Sequence, residues 1–201
     1  MFRNTNSQYG SVAKWLHWLT ALLFLAAYVG IYFFHWFLDE EGPMRSPFIS
    51  FHKGVGFSVL VFFVLRLYWR LTNPNPKLPE AMPGWQIKAS HCVHFLLYFF
   101  MLAMPLSGYI GNRSGVNYGF FSITSFRDTG LGIWIADLFN SDWTILEVPF
   151  DYFHYNIAGP YLLWMLIAAH AGAAIYHHVV HKDDVLTRML PEKSKAFKDV
   201  I

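Results

Sequence analysis

The chain has 201 residues, of which 55% are hydrophobic, 19% aromatic and 14% charged, and its formal net charge is +2. Because about a quarter of the residues in an ordinary soluble domain are charged, this composition excludes most water-soluble folds and indicates an integral membrane protein. The small net charge gives no indication of nucleic-acid binding. The single cysteine, Cys92, lies in an apolar stretch and is interpreted as a small buried hydrophobe.

Four stretches of the chain are predicted to cross the membrane as helices. Three of them contain no Asp, Glu, Lys or Arg and are longer than the about 20 residues that a bilayer-spanning helix needs. The other contains Lys53 and Arg66 near its ends, where long cationic side chains can reach the lipid headgroups. The predicted spans are residues 15–38, 48–70, 89–111 and 152–180.

The connections between the spans differ in length. Prolines and Asn-Pro pairs in residues 73–85 break helices, so this segment is predicted to be a compact connector. Residues 112–151 form the longest loop, on the outer side, and contain Trp134 and Trp143, which favours a short amphipathic piece in the membrane interface. Residues 1–201 are expected to form a single all-α domain, an integral membrane four-helix bundle.

Lysines and arginines are distributed unequally between the two sides of this bundle. With a cytoplasmic N-terminus, eleven lie inside and four outside, and such a bias in short loops sets orientation. Both termini are therefore expected in the cytoplasm, and the first span is expected to be retained because no signal-peptide pattern precedes it. The inner group is Arg3, Lys14, Arg66, Arg70, Lys77, Lys88, Lys182, Arg188, Lys193, Lys195 and Lys198; the outer group is Arg45, Lys53, Arg113 and Arg127.

Ten histidines are unusual in so apolar a chain. Ionisable residues at membrane depth are costly and usually mark a function or a ligand. At about 1.5 Å of rise per residue, His17 on the first span lies near the inner side, and His170 on the fourth lies roughly 24 Å deeper than His154. His52 and His154 lie near the outer side. The histidines thus form an inner pair, His17 with His170, and an outer pair, His52 with His154.

Two such pairs at different depths are what a transmembrane protein with two haems needs, since each macrocycle takes one imidazole on each face. The sequence has no Cys-x-x-Cys-His motif, so the haems would be bound without covalent links, as b-type haems. Alternatives stay open: His35 could serve at the outer level, and His91 or His94 at the inner level. Three further histidines are expected to be solvated or bound to headgroups or haem propionates: His177, His178 and His181.

Glycines lie close to two of these histidines. Gly56 follows His52 and Gly172 follows His170, so a flat ring could approach the backbone there. Small residues also serve ordinary helix packing in membranes, so Gly56 is a candidate cofactor contact with a competing explanation. Gly108 is equally explained by a kinked helix end.

The segments around these histidines resemble the bacterial diheme cytochrome b561 family over nearly the whole chain. The matching segments are LHWL around His17, FHKGVGFSVLVFFVLRLYWRL around His52, HFLLYFFMLAMPLSGY from His94, and AHAGAAIYHHVVHKDDVLTRMLP around His170. The resemblance implies two haems in the bundle. It also implies that His17 and His170 ligate the inner haem iron, and that His52 and His154 ligate the outer haem iron.

The fourth span departs from the family in one respect. Family members generally separate its two ligands by fourteen residues, which brings both to nearly one helix face at about 100° per residue. Here that position is Asn156, and His154 lies sixteen residues before His170, about 160° out of phase in a regular helix. A widened turn or kink at Gly159-Pro160 could restore the phase. His154 is preferred because asparagine is not a usual haem ligand.

The resemblance implies membrane electron transfer in the bacterial inner membrane, through two haem b groups, from an outer-side donor to the quinone pool. Similar family members are superoxide:ubiquinone oxidoreductases, so superoxide or another periplasmic donor, ubiquinone and membrane lipid are the expected partners. Lys53, directly after His52, could guide an anion to the outer haem. Quinone is expected at the inner side, where titratable groups concentrate: Lys88, His91, His94, His177, His178 and Asp183.

Two other function classes remain. The chain could be the haem-bearing membrane subunit that docks a periplasmic dehydrogenase or hydrogenase through residues 112–151. It could also be a channel or transporter without redox chemistry, with histidines that bind metal or carry protons.

Overall fold

The structure is a computed structural model, and it describes residues 1–38, 42–79 and 82–191. Within these residues, four helices are long and apolar enough to cross a membrane, as the sequence predicts. The first three are α1, Ser11–Phe37; α2, Arg45–Thr72; and α3, Gly84–Ile110. Each begins three to five residues before its predicted start. The predicted inner-side cations Lys193, Lys195 and Lys198 lie outside the described residues.

The three helices follow from their composition. Long apolar stretches satisfy their backbone groups internally as helices, which lipid requires. α1 ends where Leu38 adopts an extended conformation, and α2 ends likewise at Asn73, just before the prolines of the connector. Pro105 lies inside α3, one turn from its end. Cys92 on α3 is exposed rather than buried, so its predicted burial is wrong. Its apolar surroundings in the sequence belong to the outside of the bundle.

The segment between α3 and the fourth span is folded. It contains the strands β1, Val116–Asn117, and β2, Ser122–Ile123, which pair antiparallel, so the secondary structure of the described residues is helical apart from this short hairpin. The helices α4, Gly130–Phe139, and α5, Trp143–Leu146, follow.

The two tryptophans of this segment differ in burial. Trp134 on α4 is 59% exposed, as an interfacial piece requires. Trp143 is 8% exposed and lies against Phe126, with the ring centroids 5.3 Å apart. Its indole N–H donates to the carbonyl of Ile110 at 3.4 Å, which ties the loop to the end of α3.

The continuous stretch Trp143–His181, which includes α5 and the fourth span, is not a regular α-helix. After α6, Val148–Tyr152, the chain forms a π-helix over Phe153–Leu162, then α7, Leu163–Tyr176, and a last π turn over His177–His181. Pro160 lies inside the long π-helix and has no N–H to donate to a helical carbonyl. This is the widened turn that the sixteen-residue histidine spacing requires.

Helix packing joins the spans into a bundle. α1 packs on α2, α2 on α3, and α3 on the fourth span. The core comprises Tyr28, Phe100, Met104, Ala158 and Leu163. In the π-helix the N–H of Leu163 donates to Ala158, five residues back, and the carbonyl of Gly159 accepts from the Tyr28 hydroxyl at 2.8 Å. Tyr28 therefore ties α1 to the widened turn.

Candidate functional site

The outer histidines meet between α2 and the π-helix. The ring centroids of His52 and His154 are 6.1 Å apart, with the ring planes at 86°. Each Nδ1 lies 3.0 Å from a backbone carbonyl oxygen, of Ala27 for His52 and of Met104 for His154. A carbonyl only accepts, so Nδ1 carries the proton and Nε2 is left as the atom that can bind a metal.

The π-helix accounts for the position of His154. Sixteen residue steps lead from His154 to His170, and the first eight lie in the π-helix. Each of these eight steps turns the chain by roughly 80°, whereas a step in an α-helix turns it by about 100°. The total comes to about 1,440°, or four full turns, so both histidines face the bundle interior. The two alternatives lie elsewhere: Asn156 is exposed, and His35 lies near Tyr155 with ring centroids 6.2 Å apart.

The inner level holds three imidazoles. The ring centroids of His17 and His170 are 6.0 Å apart, and those of His94 and His170 are 5.4 Å apart. His170 is therefore common to the predicted pair and to its alternative. The side chain of His91 is exposed, so the structure brings His94 but not His91 to this level.

Two polar neighbours lie beside these imidazoles. Nη1 of Arg66 lies 3.5 Å from Nδ1 of His17, and the Ser90 hydroxyl lies 3.5 Å from Nδ1 of His94. From its place near the end of the span, the Arg66 side chain could have extended to the headgroups. Its side chain turns towards the histidines in the bundle instead.

The two levels are stacked along the bundle. His17 lies ten residues before Ala27, the partner of His52, which is about 15 Å along α1. On the fourth span, the sixteen residues from His154 to His170 correspond to at most roughly 24 Å.

The residues fit a bis-histidine haem at each level. With metal–nitrogen bonds of about 2 Å, two imidazoles on opposite sides of one metal ion have ring centroids about 6 Å apart. The observed 6.1 Å and 6.0 Å match this distance. Gly56, one turn after His52, has no other protein group within 4 Å of where a Cβ would stand, so a flat ring can lie against it. Among the described residues, no three His, Cys, Asp or Glu side chains are grouped to hold a bare metal ion.

Sequence reasoning missed the role of Gly108 on α3. A Cβ added there would stand 2.8 Å from Cε1 and 3.1 Å from Nδ1 of His154. The neighbouring Ser107 hydroxyl lies 3.1 Å from the same Nδ1. Only a glycine lets α3 approach this imidazole so closely. The sequence carries no signal for this beyond the glycine itself.

We expect Gly108→Ala to displace His154 and to lower the haem content of the purified protein by up to one haem per chain, through loss of the outer haem. The added methyl group overlaps the imidazole, and cores resist such overpacking. Haem content per chain and the visible spectrum measure the effect. Gly84→Ala, where the Cβ meets nothing within 4 Å, is the matched control. Full haem content in Gly108→Ala would contradict the close packing.

His177 and Asp183 pair with each other at the inner end. His177 was expected to be solvated or bound to headgroups or haem propionates, and its side chain is 12% exposed with Nδ1 bonded to the Asp183 carboxylate at 2.5 Å. Burial acts to raise the pKa of Asp183. The hydrogen bonds from His177 and from the N–H of Val185 outweigh burial and hold this pKa below its usual value.

Cations at the outer end differ in their partners. Arg113 bonds to the buried carboxylate of Glu147 at 2.6 Å, and Arg127 lies 3.7 Å from Asp128. The ammonium group of Lys53, next to His52 in the sequence, donates to the neutral hydroxyl of Ser114 at 2.7 Å.

Comparison with known proteins gives a consistent result over the length of the chain. Residues 8–192 match the family described as prokaryotic cytochrome b561. Cytochrome b561 homolog 1 of Escherichia coli (strain K12) is 30% identical over 193 residues, which cover 93% of this chain and 99% of that protein. Cytochrome b561 homolog 2 of the same organism is 26% identical, with 98% of each chain covered. The probable superoxide oxidase CybB of Yersinia pestis is 25% identical, with 94% and 98% covered.

Proposed function

The chain belongs to the prokaryotic cytochrome b561 family, and we propose that it carries electrons from superoxide to quinone through two b-type haems. Family membership makes it a haem-binding protein of electron transport in a bacterial membrane. It also favours redox chemistry over a channel or transporter that uses histidines alone. In the proposal, the membrane is the inner membrane and both termini are cytoplasmic, because the inner segments carry most of the Lys and Arg.

The observation that carries the proposal is the pair of histidine levels. His52 and His154 hold the outer haem, and His17 and His170 hold the inner haem. When bound, each haem supplies a one-electron iron couple. Two imidazoles would ligate each iron, so the protein side chains favour electron transfer at the haem edge over ligand binding at iron.

Superoxide is proposed as the donor because a relative is named a probable superoxide oxidase. Two superoxide anions each release one electron and become dioxygen, and one quinone takes up two electrons and two protons to become quinol. A small anion needs no shaped pocket, but a local positive potential raises its encounter rate. Lys53 supplies this charge beside His52, since its described hydrogen-bond partner, Ser114, is neutral.

We expect Lys53→Glu to slow haem reduction by superoxide by about tenfold at low ionic strength and by much less at high salt. Stopped-flow spectroscopy at two salt concentrations measures this rate. Arg127→Glu is the control, because it makes the same change in net charge on a loop residue that lies beside Asp128.

Equal rates for wild type and Lys53→Glu at low salt would contradict steered superoxide oxidation. A protein donor that docks on the segment between α3 and the fourth span, as in a dehydrogenase or hydrogenase complex, would then be the better proposal.

Quinone is placed at the inner level in this proposal. Its reduction consumes two protons, and titratable groups cluster at the inner end of the bundle. Lys88 and His91 are exposed there on α3. His177 and Asp183, also at this end, bond to each other.

A further inference from the structure

Two arginines converge on one tyrosine beside the inner histidines. The guanidinium carbons of Arg66 and Arg70 lie 5.6 Å and 5.4 Å from the ring centroid of Tyr98. Arg66 also reaches to 3.5 Å from Nδ1 of His17. Both distances to the ring are within the range of cation–π contacts, which hold a guanidinium group in place without neutralising it.

A third guanidinium lies near the same place. Burial raises the pKa of Tyr9, and the positive charges of Arg70, Arg188 and Arg66 oppose this rise. Arg188 is paired with Asp184 at 2.7 Å. The contacts given above for Arg66 and Arg70 are to tyrosine and histidine. In the described part of the chain neither has a carboxylate partner.

The register of α2 explains why these arginines face inwards. Arg66 follows His52 by fourteen residues, which is about 1,400° of rotation and 40° short of four turns. Arg70 follows one turn later, towards the inner end of α2. One face of α2 therefore carries the outer histidine, Gly56 and then two unpaired cations at the inner level. Unpaired charges at membrane depth are costly and imply an anionic partner.

We propose that Arg66 and Arg70 bind the propionate carboxylates of the inner haem, with Tyr98 holding the two guanidinium groups in place. This inference rests on the proposed function, in which His17 and His170 hold that haem. Guanidinium groups bind carboxylates through paired, charge-assisted hydrogen bonds, and a haem b edge carries two carboxylates. An anionic lipid phosphate shares this chemistry, but Arg66 is directed at a ligand histidine and away from the lipid.

The test compares haem b with its dimethyl ester, in which the propionates carry no charge. The full chain is loaded with either haem, and the rate at which the inner haem passes to an apoprotein acceptor is measured. The variants are Arg66→Gln and Arg70→Gln. Arg3→Gln is the control, because it removes an equal charge from an exposed inner-side residue. Retention of the outer haem reports that each variant is folded.

With haem b, we expect Arg66→Gln and Arg70→Gln each to release the inner haem about tenfold faster, and Arg3→Gln to match wild type. With the ester, all four proteins should release it at similar rates, because no carboxylate remains to bind.

Three outcomes would overturn the inference. Equal acceleration with both haems assigns the arginines to helix packing. No acceleration with either haem, while co-purifying phosphatidylglycerol is retained, means that the propionates lie elsewhere. Unchanged haem release together with loss of co-purifying phosphatidylglycerol assigns the cluster to lipid. A wild-type chain that binds no inner haem would instead contradict the proposed function itself.

Discussion

His154→Ala is expected to lower the haem content from two to one per chain, while Asn156→Ala keeps both. The imidazole of His154 stands opposite His52 and has its Nδ1 bonded to Met104, whereas Asn156 is exposed. Loss of one axial imidazole leaves the outer haem with a single protein ligand. Haem content per chain and reductive titration of the visible spectrum measure the loss.

His35→Ala is the matched histidine control for this experiment. His35 lies near Tyr155 rather than opposite His52, so its replacement should leave both haems in place. Two haems in His154→Ala, or one haem in Asn156→Ala or His35→Ala, would show that the outer ligand is misassigned. The π-helix would then serve packing alone.

The spans of the fold follow from the sequence alone. An apolar stretch of this length is stable in lipid as a helix, which satisfies its own backbone hydrogen bonds, so composition predicts the number of spans. The depth of each histidine follows as well, because helical rise is nearly constant. This is why the sequence alone pairs His52 with His154, although they are distant along the chain.

Helical phase could not be predicted to the same degree. The side of the fourth span that His154 faces depends on how many residues use the wider π turn, and Pro160 signals a break without fixing its length. The Tyr28 hydroxyl, which donates a hydrogen bond to the Gly159 carbonyl in the π-helix, comes from α1. That contact spans most of the chain, and no local pattern reveals it.

The directions of single side chains were also beyond the sequence. Arg66 lies near the end of α2, where an arginine can extend to the headgroups or turn inwards, and the neighbouring aromatic ring decides between them. Trp143 has the composition of an interfacial residue but is buried by the fold of its own loop. The directions of both side chains depend on contacts with residues that are distant in the sequence.

At the inner level, either His17 or His94 could be the second haem ligand, and His170 is the first ligand in both cases. Its ring lies near those of His17 and His94, so His170→Ala should remove the inner haem whichever of the two is the second ligand. His17→Ala is expected to act in the same way as His170→Ala under the proposed assignment. Retention of the inner haem in His17→Ala, with its loss in His94→Ala, would transfer the ligand role to His94.

His170→Ala also tests whether the two levels act in series. In this variant superoxide should still reduce the outer haem at the wild-type rate, but quinol formation should fall to background. Without the inner haem, electrons on the outer haem are about 15 Å or more, measured along α1, from the inner level, where quinone is proposed to bind. Stopped-flow reduction and quinol production, measured on one preparation, separate the two steps. His35→Ala, whose ring lies near Tyr155 and at neither the haem nor the quinone site of the proposal, is the control and should match wild type. Wild-type quinol formation in His170→Ala would mean that quinone takes its electrons at the outer level, and the inner histidines would then need a different role.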